Sequence, residues 1–188
     1  MMILRCLYTI RSSLNFDIAK RLVESLVLSR VYYGICLLLG APRCVLGILR
    51  KAVNAACRFV FRLPPRTKTS SYLFKLKWLP VPARLERKVC TMVHSIRLHD
   101  KPEYLRELLI DAPQVGTRSN PAYFHPATQG APSWSSKSFR FNAPRMYDAL
   151  PEDVRSVSIS TFKLRLLDHL MDKSFLSDSH ELTKYAKC

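Results

Sequence analysis

The sequence predicts a mainly α fold: an irregular helical bundle with a long proline-rich loop and a short extended segment before the last helices. Three observations predict it. Apolar residues recur at three- and four-residue spacing in most segments, as they do on helices with one buried face. Most prolines fall at the ends of those segments, where they stop or open a helix. Only the stretch 111–136 loses the periodicity, and it gathers four prolines and two glycines in 26 residues.

Met2 to Ile10 is a short helical pattern with Ile3, Leu4 and Leu7 apolar. It starts at once, as a chain cut from something longer would. Ser12 to Asn15 is a turn. Phe16 to Leu39 is then the expected central helix. Ile18, Leu22, Leu26 and Tyr33 form its apolar line, and Ala19, Val23 and Val27 widen it. Asn15 is its cap and Asp17 complements its dipole. After Leu26 nearly every position is apolar, so burial on several sides is expected. Lys20, Arg21, Glu24 and Arg30 argue against a membrane span; the uncharged run Val31 to Pro42 has 12 residues, against the ~20 a bilayer needs. Gly40 and Pro42 end this helix and open the next.

Arg43 to Leu63 is the second long helix. Leu46, Leu49, Val53, Ala56 and Val60 form its apolar stripe. Arg50, Asn54, Arg58 and Arg62 recur every four residues on another face, widened by Lys51. Pro64 and Pro65 stop it, and Arg66 to Ser71 is a basic turn. Tyr72 to Leu79 fits a short helix or a strand, and its helical neighbours favour the helix. Lys75 and Lys77 among its aromatics suit stacking on bases or snorkelling over a core tryptophan. Ala83 to Leu98 is amphipathic, with Leu85, Val89, Met92 and Ile96 inside and Arg84, Arg87, Lys88 and Arg97 largely out. Glu103 to Ile110 is a short helix opened by Pro102.

The segment 111–136 reads as a loop or linker. Lys137 to Asn142 alternates and reads as a short extended piece. Pro144 to Leu150 is one or two helical turns closed by Pro151. Ser160 caps a last helix through Met171, with Phe162, Leu166 and Leu170 apolar, and a polar, frayed tail runs from Ser174. The organisation expected is thus a basic helical domain 1–110, the linker 111–136, terminal elements 137–173 and a tail 174–188.

Charge carries the functional signal. The 188 residues hold 30 Lys and Arg against 14 Asp and Glu, a net charge of +16. Residues 1–99 carry 18 basic and 3 acidic residues, whereas 100–188 carry 12 and 11. Between Glu24 and Glu86 stand eleven basic residues and no acidic one. Such one-sided charge is expected to meet a polyanion, and phosphate is the first choice. The candidate nucleic-acid-binding residues are Arg43, Arg50, Lys51, Asn54, Arg58, Arg62, Arg66, Lys68, Lys75 and Lys77. A solvated basic face with no ligand is the alternative.

The cysteines, Cys6, Cys36, Cys44, Cys57, Cys90 and Cys188, show no C-x-x-C spacing. Most lie within apolar helical patterns and read as buried free thiols of a reducing compartment, so the chain is expected inside a cell, nuclear or cytoplasmic, and not secreted. His94 and His99 are five apart and do not share a helix face, so no zinc site is expected. Phosphate-binding glycine loops, G-x-S-x-G and H-E-x-x-H are missing. Glu152 and Asp153 read as helix N-terminal charges. Three acids in the first 99 residues are a thin supply for a Mg²⁺-dependent polymerase or nuclease. No catalysis, cofactor, metal or small-molecule substrate is expected of the chain alone.

Five phrases in order resemble one family: LVESLVLSRVYYG, LRKAVNAACRFVFRL, LFKLKWLPVPARLERKV, KPEYLRELL and FRFNAPRMYDALPEDVRSVSISTFKLRLLDHL. They resemble the carboxy-terminal part of reverse-transcriptase polyproteins from non-LTR (LINE-type, jockey-like) retrotransposons, across roughly Ile3 to Met171. The resemblance implies helices at and beyond the polymerase thumb, which hold template RNA, primer or target DNA. It implies an upstream reverse-transcriptase core and endonuclease, with the catalytic Asp-Asp pair before Met1. Asn54 and Arg58 fall on the family's Asn-Ala-Ala-x-Arg phrase. Tyr147-Asp148 stands where Trp-Asn is usual, and no cysteine–histidine knuckle follows. Two other readings stay open at this point: a helical module that binds an acidic protein or its former upstream domain, and an unselected relic that never folds stably.

Overall fold

A computed structural model describes residues 2–111, 124 and 138–185, with side chains as far as Ser174. These residues are mainly helical. No strand occurs among them, only an isolated antiparallel bridge between Asp111 and Phe124. The rest of the expected linker 111–136, and Lys137, lie outside the described residues. The chain divides into two compact units. The first is Met1–Ile35, Pro42–Ala83 and Met171–Cys188; the second is Cys36–Ala41 and Arg84–Leu170. Among the described residues no helix is long and apolar enough to cross a membrane.

The first unit begins with α1 (Met2–Thr9), which buries Leu4 and Leu7. A 3₁₀ turn, Arg11–Ser13, leads to α2 (Phe16–Val23), whose first turn is capped as expected by Asn15 Oδ1 accepting from Ile18 N at 2.9 Å. A π-helical turn, Glu24–Leu28, then passes into α3 (Ser29–Tyr32). The expected uninterrupted helix to Leu39 does not form. Tyr33 turns extended and Gly34 takes a left-handed φ of 62°, which glycine adopts without a Cβ penalty. A 3₁₀ turn, Ile35–Leu38, follows.

The buried side of this segment is the expected one only in part: Ala19, Val23 and Val27 are buried, and Leu28 with them, but most of the line they were to widen is not. Ile18 and Leu26 are 48% and 40% exposed, and Tyr33 is 90% exposed. Ala19 and Val23 are small, so this side can approach α4 closely. The wide π turn then places both Val27 and Leu28 on the inner face and swings Leu26 outward. Leu26→Ala should therefore cost under about 1 kcal/mol, not the roughly 2–5 kcal/mol of a buried leucine. Urea denaturation of the two proteins would measure it, and a loss above about 2 kcal/mol would show that Leu26 is in the core.

Helix α4 (Arg43–Phe61) starts after Pro42 and ends with Arg62 in the left-handed region at φ 55°, ahead of Pro64. Val53, Ala56, Cys57, Phe59 and Val60 are its buried residues. Phe59 meets Tyr8 edge-on at 5.0 Å, and Phe61 lies between Phe16 and Tyr72. The expected Tyr72–Leu79 helix forms in its first half only: α5 is Ser70–Lys75, Leu76 and Lys77 turn, and Leu73, Leu76, Trp78 and Leu79 are buried. Trp78 Nε1 donates to Glu24 Oε1 at 2.8 Å, which fastens the end of this stretch to the π turn.

The amphipathic helix is α6 (Val81–His99), whose residues from Arg84 on belong to the second unit. It ends with Asp100 at φ 52°, and Asp100 N donates to Ile96 O. Helix α7 is shorter than expected, Glu103–Arg106. Arg106 then folds back to pair with Asp100 at 2.9 Å and with Asp111. The expected extended piece is instead the start of α8 (Phe139–Asp148), capped by Ser138. Alternation over six residues cannot tell a strand from a helix, and the Ala143, Pro144 and Tyr147 that follow are buried in helical register. Helix α9 (Glu152–Arg155) has Glu152 and Asp153 in its first turn, as read from the sequence. Helix α10 runs Ile159–Tyr185, and from Met171 on its residues belong to the first unit. Its first turn is closed by Ser158, whose carbonyl accepts from Phe162 N at 2.8 Å, so the cap is Ser158 and not Ser160. No proline or glycine follows Met171, and the helix continues past the expected frayed start at Ser174.

His94 is fully buried in this unit and stacks on Phe162 at 3.9 Å. Its Nε2 donates to Val157 O at 3.0 Å, which leaves Nδ1 to accept from the Tyr147 hydroxyl at 2.8 Å. Arg97 Nη1 donates in turn to that hydroxyl at 3.2 Å, so Arg97 is half-buried and not on the outer face. Arg87 is likewise half-buried, and burial lowers its pKa. Burial also pulls the His94 pKa below 6.5; the Val157 carbonyl opposes the shift, and the charges of Arg97 and His99 add to it. The unfolded chain then binds the proton more readily than the folded one. Stability from neutral His94 is present above about pH 6.5 and is lost as the pH falls below it. Thermal melts between about pH 7 and 5 should show a falling midpoint that flattens in His94→Gln, whose amide keeps a donor and an acceptor. Parallel curves for the two proteins would refute this.

Candidate nucleic-acid interface

In the first unit α4, the 66–70 turn, α5, the start of α6, and Met171 and Ser174 of α10 line a cleft of about 520 Å³. Its basic lining consists of Arg50, Arg58, Arg66 and Lys68, with Asn54 beside them. Pro64 and Pro65 end α4 and force the chain to double back, and this lays the basic turn against the helix that carries Arg50 and Arg58. No carboxylate occurs among the described lining residues. The hydroxyls of Thr67, Thr69 and Ser70 complete the polar wall, while Val53, Leu73, Phe74, Pro80 and Pro82 form the apolar one. Cations, hydroxyl groups and an amide that line a common space suit phosphate oxygens.

Five of the ten residues singled out from the sequence thus converge: Arg50, Asn54, Arg58, Arg66 and Lys68. The others do not line the cleft. Arg43 and Lys51 are exposed on α4, Lys75 lies 5.6 Å over the Tyr72 ring, and Lys77 is exposed with φ 56°. Arg58 also has a structural task, since its Nε and Nη2 both donate to Thr67 O at 3.1 Å and so fix the basic turn.

Arg62 is drawn away from the cleft. Its Nη2 donates to the carbonyls of Arg11, Ser12 and Leu14 at 3.2–3.3 Å. Arg11 answers in the opposite direction. It is 8% exposed, its Nε donates to Phe59 O and its Nη2 to Val60 O, each at 2.7 Å, and its Nη1 donates to Leu14 O. The two guanidiniums satisfy carbonyls at the α4 C-terminus and in the 11–14 turn, groups that a helix end otherwise leaves open. Burial, and then the Arg62 charge, lower the Arg11 pKa. A face defined by four-residue spacing therefore mixes two roles: Arg50 at the cleft, Arg62 in a clamp.

Among the described residues no three His, Cys, Asp or Glu side chains gather where they could hold a metal ion. The cysteines of this region are not uniformly buried as expected. Cys57 is buried, and burial raises its thiol to about 11, while Cys6 and Cys44 are exposed because they fall outside the inner faces of α1 and α4. In the second unit Cys90 is buried and Cys36 half-buried, and these described cysteines are free thiols.

Sequence reading missed the hydroxyl residues and Phe74 as parts of a site. The Ser/Thr-rich run T-K-T-S-S between basic residues was the available signal. The chain matches no family model, no curated protein and no solved structure.

Proposed function

We propose that the chain is a non-catalytic nucleic-acid-binding piece of a LINE-type reverse transcriptase, which holds RNA or DNA by the phosphate backbone. The observation that supports this best is the cleft of the first unit, where Arg50, Arg58, Arg66 and Lys68 meet and no carboxylate lines the wall. The five phrases resembling the family add the origin. Phosphate contacts of this kind position a strand and carry little sequence preference. The parent polyprotein's RNA-directed DNA synthesis is assigned to an upstream core, and the nucleus or cytoplasm is the working compartment.

The test is binding of single-stranded RNA and DNA across a salt series. Three or four phosphate contacts give a slope of log affinity against log salt of about −2 to −3 on single strands. A flat salt response, or tighter binding to an acidic protein than to either nucleic acid, would replace this reading with that of a protein-docking module.

A further inference from the structure

The turn beside the cleft carries hydroxyls as well as cations. Residues 66–71 read Arg-Thr-Lys-Thr-Ser-Ser, and no acidic residue stands between Glu24 and Glu86. Burial and position separate the four hydroxyls. Thr69 is buried and Thr67 half-buried, so a second protein reaches neither readily. Ser71 is exposed but is not among the described lining residues. Ser70 is both exposed and part of the wall. Lys68 stands two residues before it and Arg66 four. A kinase that selects targets by charge pattern, with its own acidic groups reading cations ahead of the serine, finds them here. Residues 63–69 lie outside any helix, and Ser70 is the first residue of α5, so a kinase groove can take this stretch with little unwinding.

Resting on the phosphate-binding reading above, we propose that Ser70 is a phosphorylation site that switches the cleft off. A basic-directed serine kinase moves the γ-phosphoryl group of a nucleoside triphosphate to Ser70 Oγ. The bond from the γ-phosphorus to the β–γ bridging oxygen breaks, an Oγ–P bond forms, the nucleoside diphosphate leaves and the hydroxyl proton passes to solvent. The new group carries a charge of about −1.5 to −2 at neutral pH and three acceptor oxygens. It stands in the wall that Arg50, Arg66 and Lys68 share. Opposite such a cluster a phosphate makes about one to three charge-assisted hydrogen bonds. The cations that would meet a nucleic-acid backbone are then held by a phosphate of the chain itself, at an effective concentration that no dilution lowers. Hydrolysis of the ester by a phosphatase restores binding.

The experiment uses the full chain with phosphoserine placed at position 70 or at position 71 during translation. Fluorescence anisotropy of a labelled oligo-dT strand is followed across a salt series, with thermal melts as the folding control. Phosphoserine at 70 should weaken binding on the order of tenfold at about 0.15 M salt and flatten the salt slope by about 2 units. At 71, outside the wall, the loss should be several-fold smaller. Phosphorus NMR against pH gives a readout without nucleic acid. A phosphate held by cations keeps its second charge, so the phosphoserine at 70 should titrate below the ordinary value of about 6 and the one at 71 near it. The catalytic fragment of protein kinase C with ATP should phosphorylate Ser70 of the unmodified chain, as mapped by mass spectrometry, and Arg66→Gln/Lys68→Gln should slow the transfer several-fold. Equal losses at 70 and 71, or phosphate transferred only to other residues, would overturn the proposal. If the unmodified chain binds with the expected salt slope and phosphoserine at 70 changes nothing, the phosphate cleft stands and the switch falls. If the unmodified chain binds no nucleic acid while the phosphoserine at 70 titrates low, the function proposed above falls, the switch falls with it, and only the seat for a phosphate stands.

Discussion

Replacing Arg50, Arg66 and Lys68 together by glutamine should weaken binding to single-stranded RNA and DNA alike and flatten the salt slope by about 2 units. Each lost phosphate contact removes roughly 0.7 from that slope on single strands, and three contacts are removed. All three side chains are exposed, so each substitution should stay within about ±0.5 kcal/mol of folding stability. Arg58 and Arg62 are left in place deliberately. Arg58 fixes the Thr67 carbonyl and Arg62 three carbonyls of the 11–14 turn, so losing them would confuse unfolding with loss of binding. Discrimination among base sequences should barely change, because the three residues meet the backbone and not base edges. A salt titration of both proteins, with thermal melts as the folding control, measures the effect. A folded variant with an unchanged slope would reduce the basic face to a solvated surface.

Arg11→Met should destabilise the protein by about 2–4 kcal/mol. Methionine keeps an apolar stem over the Phe59 ring, where the guanidinium carbon now sits 5.2 Å from the ring centre. It removes the donors to Phe59 O and Val60 O, which are buried, and to Leu14 O. A buried acceptor left unsatisfied costs about 1–3 kcal/mol; Val60 O loses its donor, and Phe59 O keeps only the 3.4 Å bond from Arg62 N. Set against a typical total of about 5–15 kcal/mol, that is a large share. The opposing saving is the desolvation of a cation held beside Arg62. Urea denaturation reads the difference, and a loss below about 0.5 kcal/mol would show that water or neighbouring groups satisfy those carbonyls equally well.

The helical class was legible because apolar spacing and proline placement depend on local physics. Asn15 as cap, the stop before Pro64 and the α9 acids at Glu152 and Asp153 are set by residues within one turn of each other. The buried side of α2 and the π turn was legible only in part. Ala19, Val23 and Val27 belong to the expected face and are buried, but Ile18, Leu22 and Leu26 make as good a helical line, and only packing against α4 and the π turn chooses between them. The start of α8 failed for a related reason: a six-residue alternation carries too little information to exclude a helix. Arg11 shows the largest gap. A basic residue in a short turn reads as surface, yet its hydrogen-bond partners lie 48 and 49 positions away. In the candidate site, charge pointed to the α4 face and the basic turn. Local spacing could not separate Arg50 at the cleft from Arg62 in the clamp, because that division depends on how the chain returns after Pro65.

The measurement that bears most directly on the phosphate cleft is lysine acetylation of the folded chain with and without a saturating single-stranded oligonucleotide, read residue by residue by mass spectrometry. Lys68 lines the cleft of the first unit, while Lys101 and Lys163 are exposed in the second. Bound nucleic acid should slow acetylation of Lys68 strongly and leave Lys101 and Lys163 unchanged. Equal rates at Lys68 with and without the oligonucleotide, or protection confined to the lysines of the second unit, would contradict the assignment of the cleft as the phosphate-binding site.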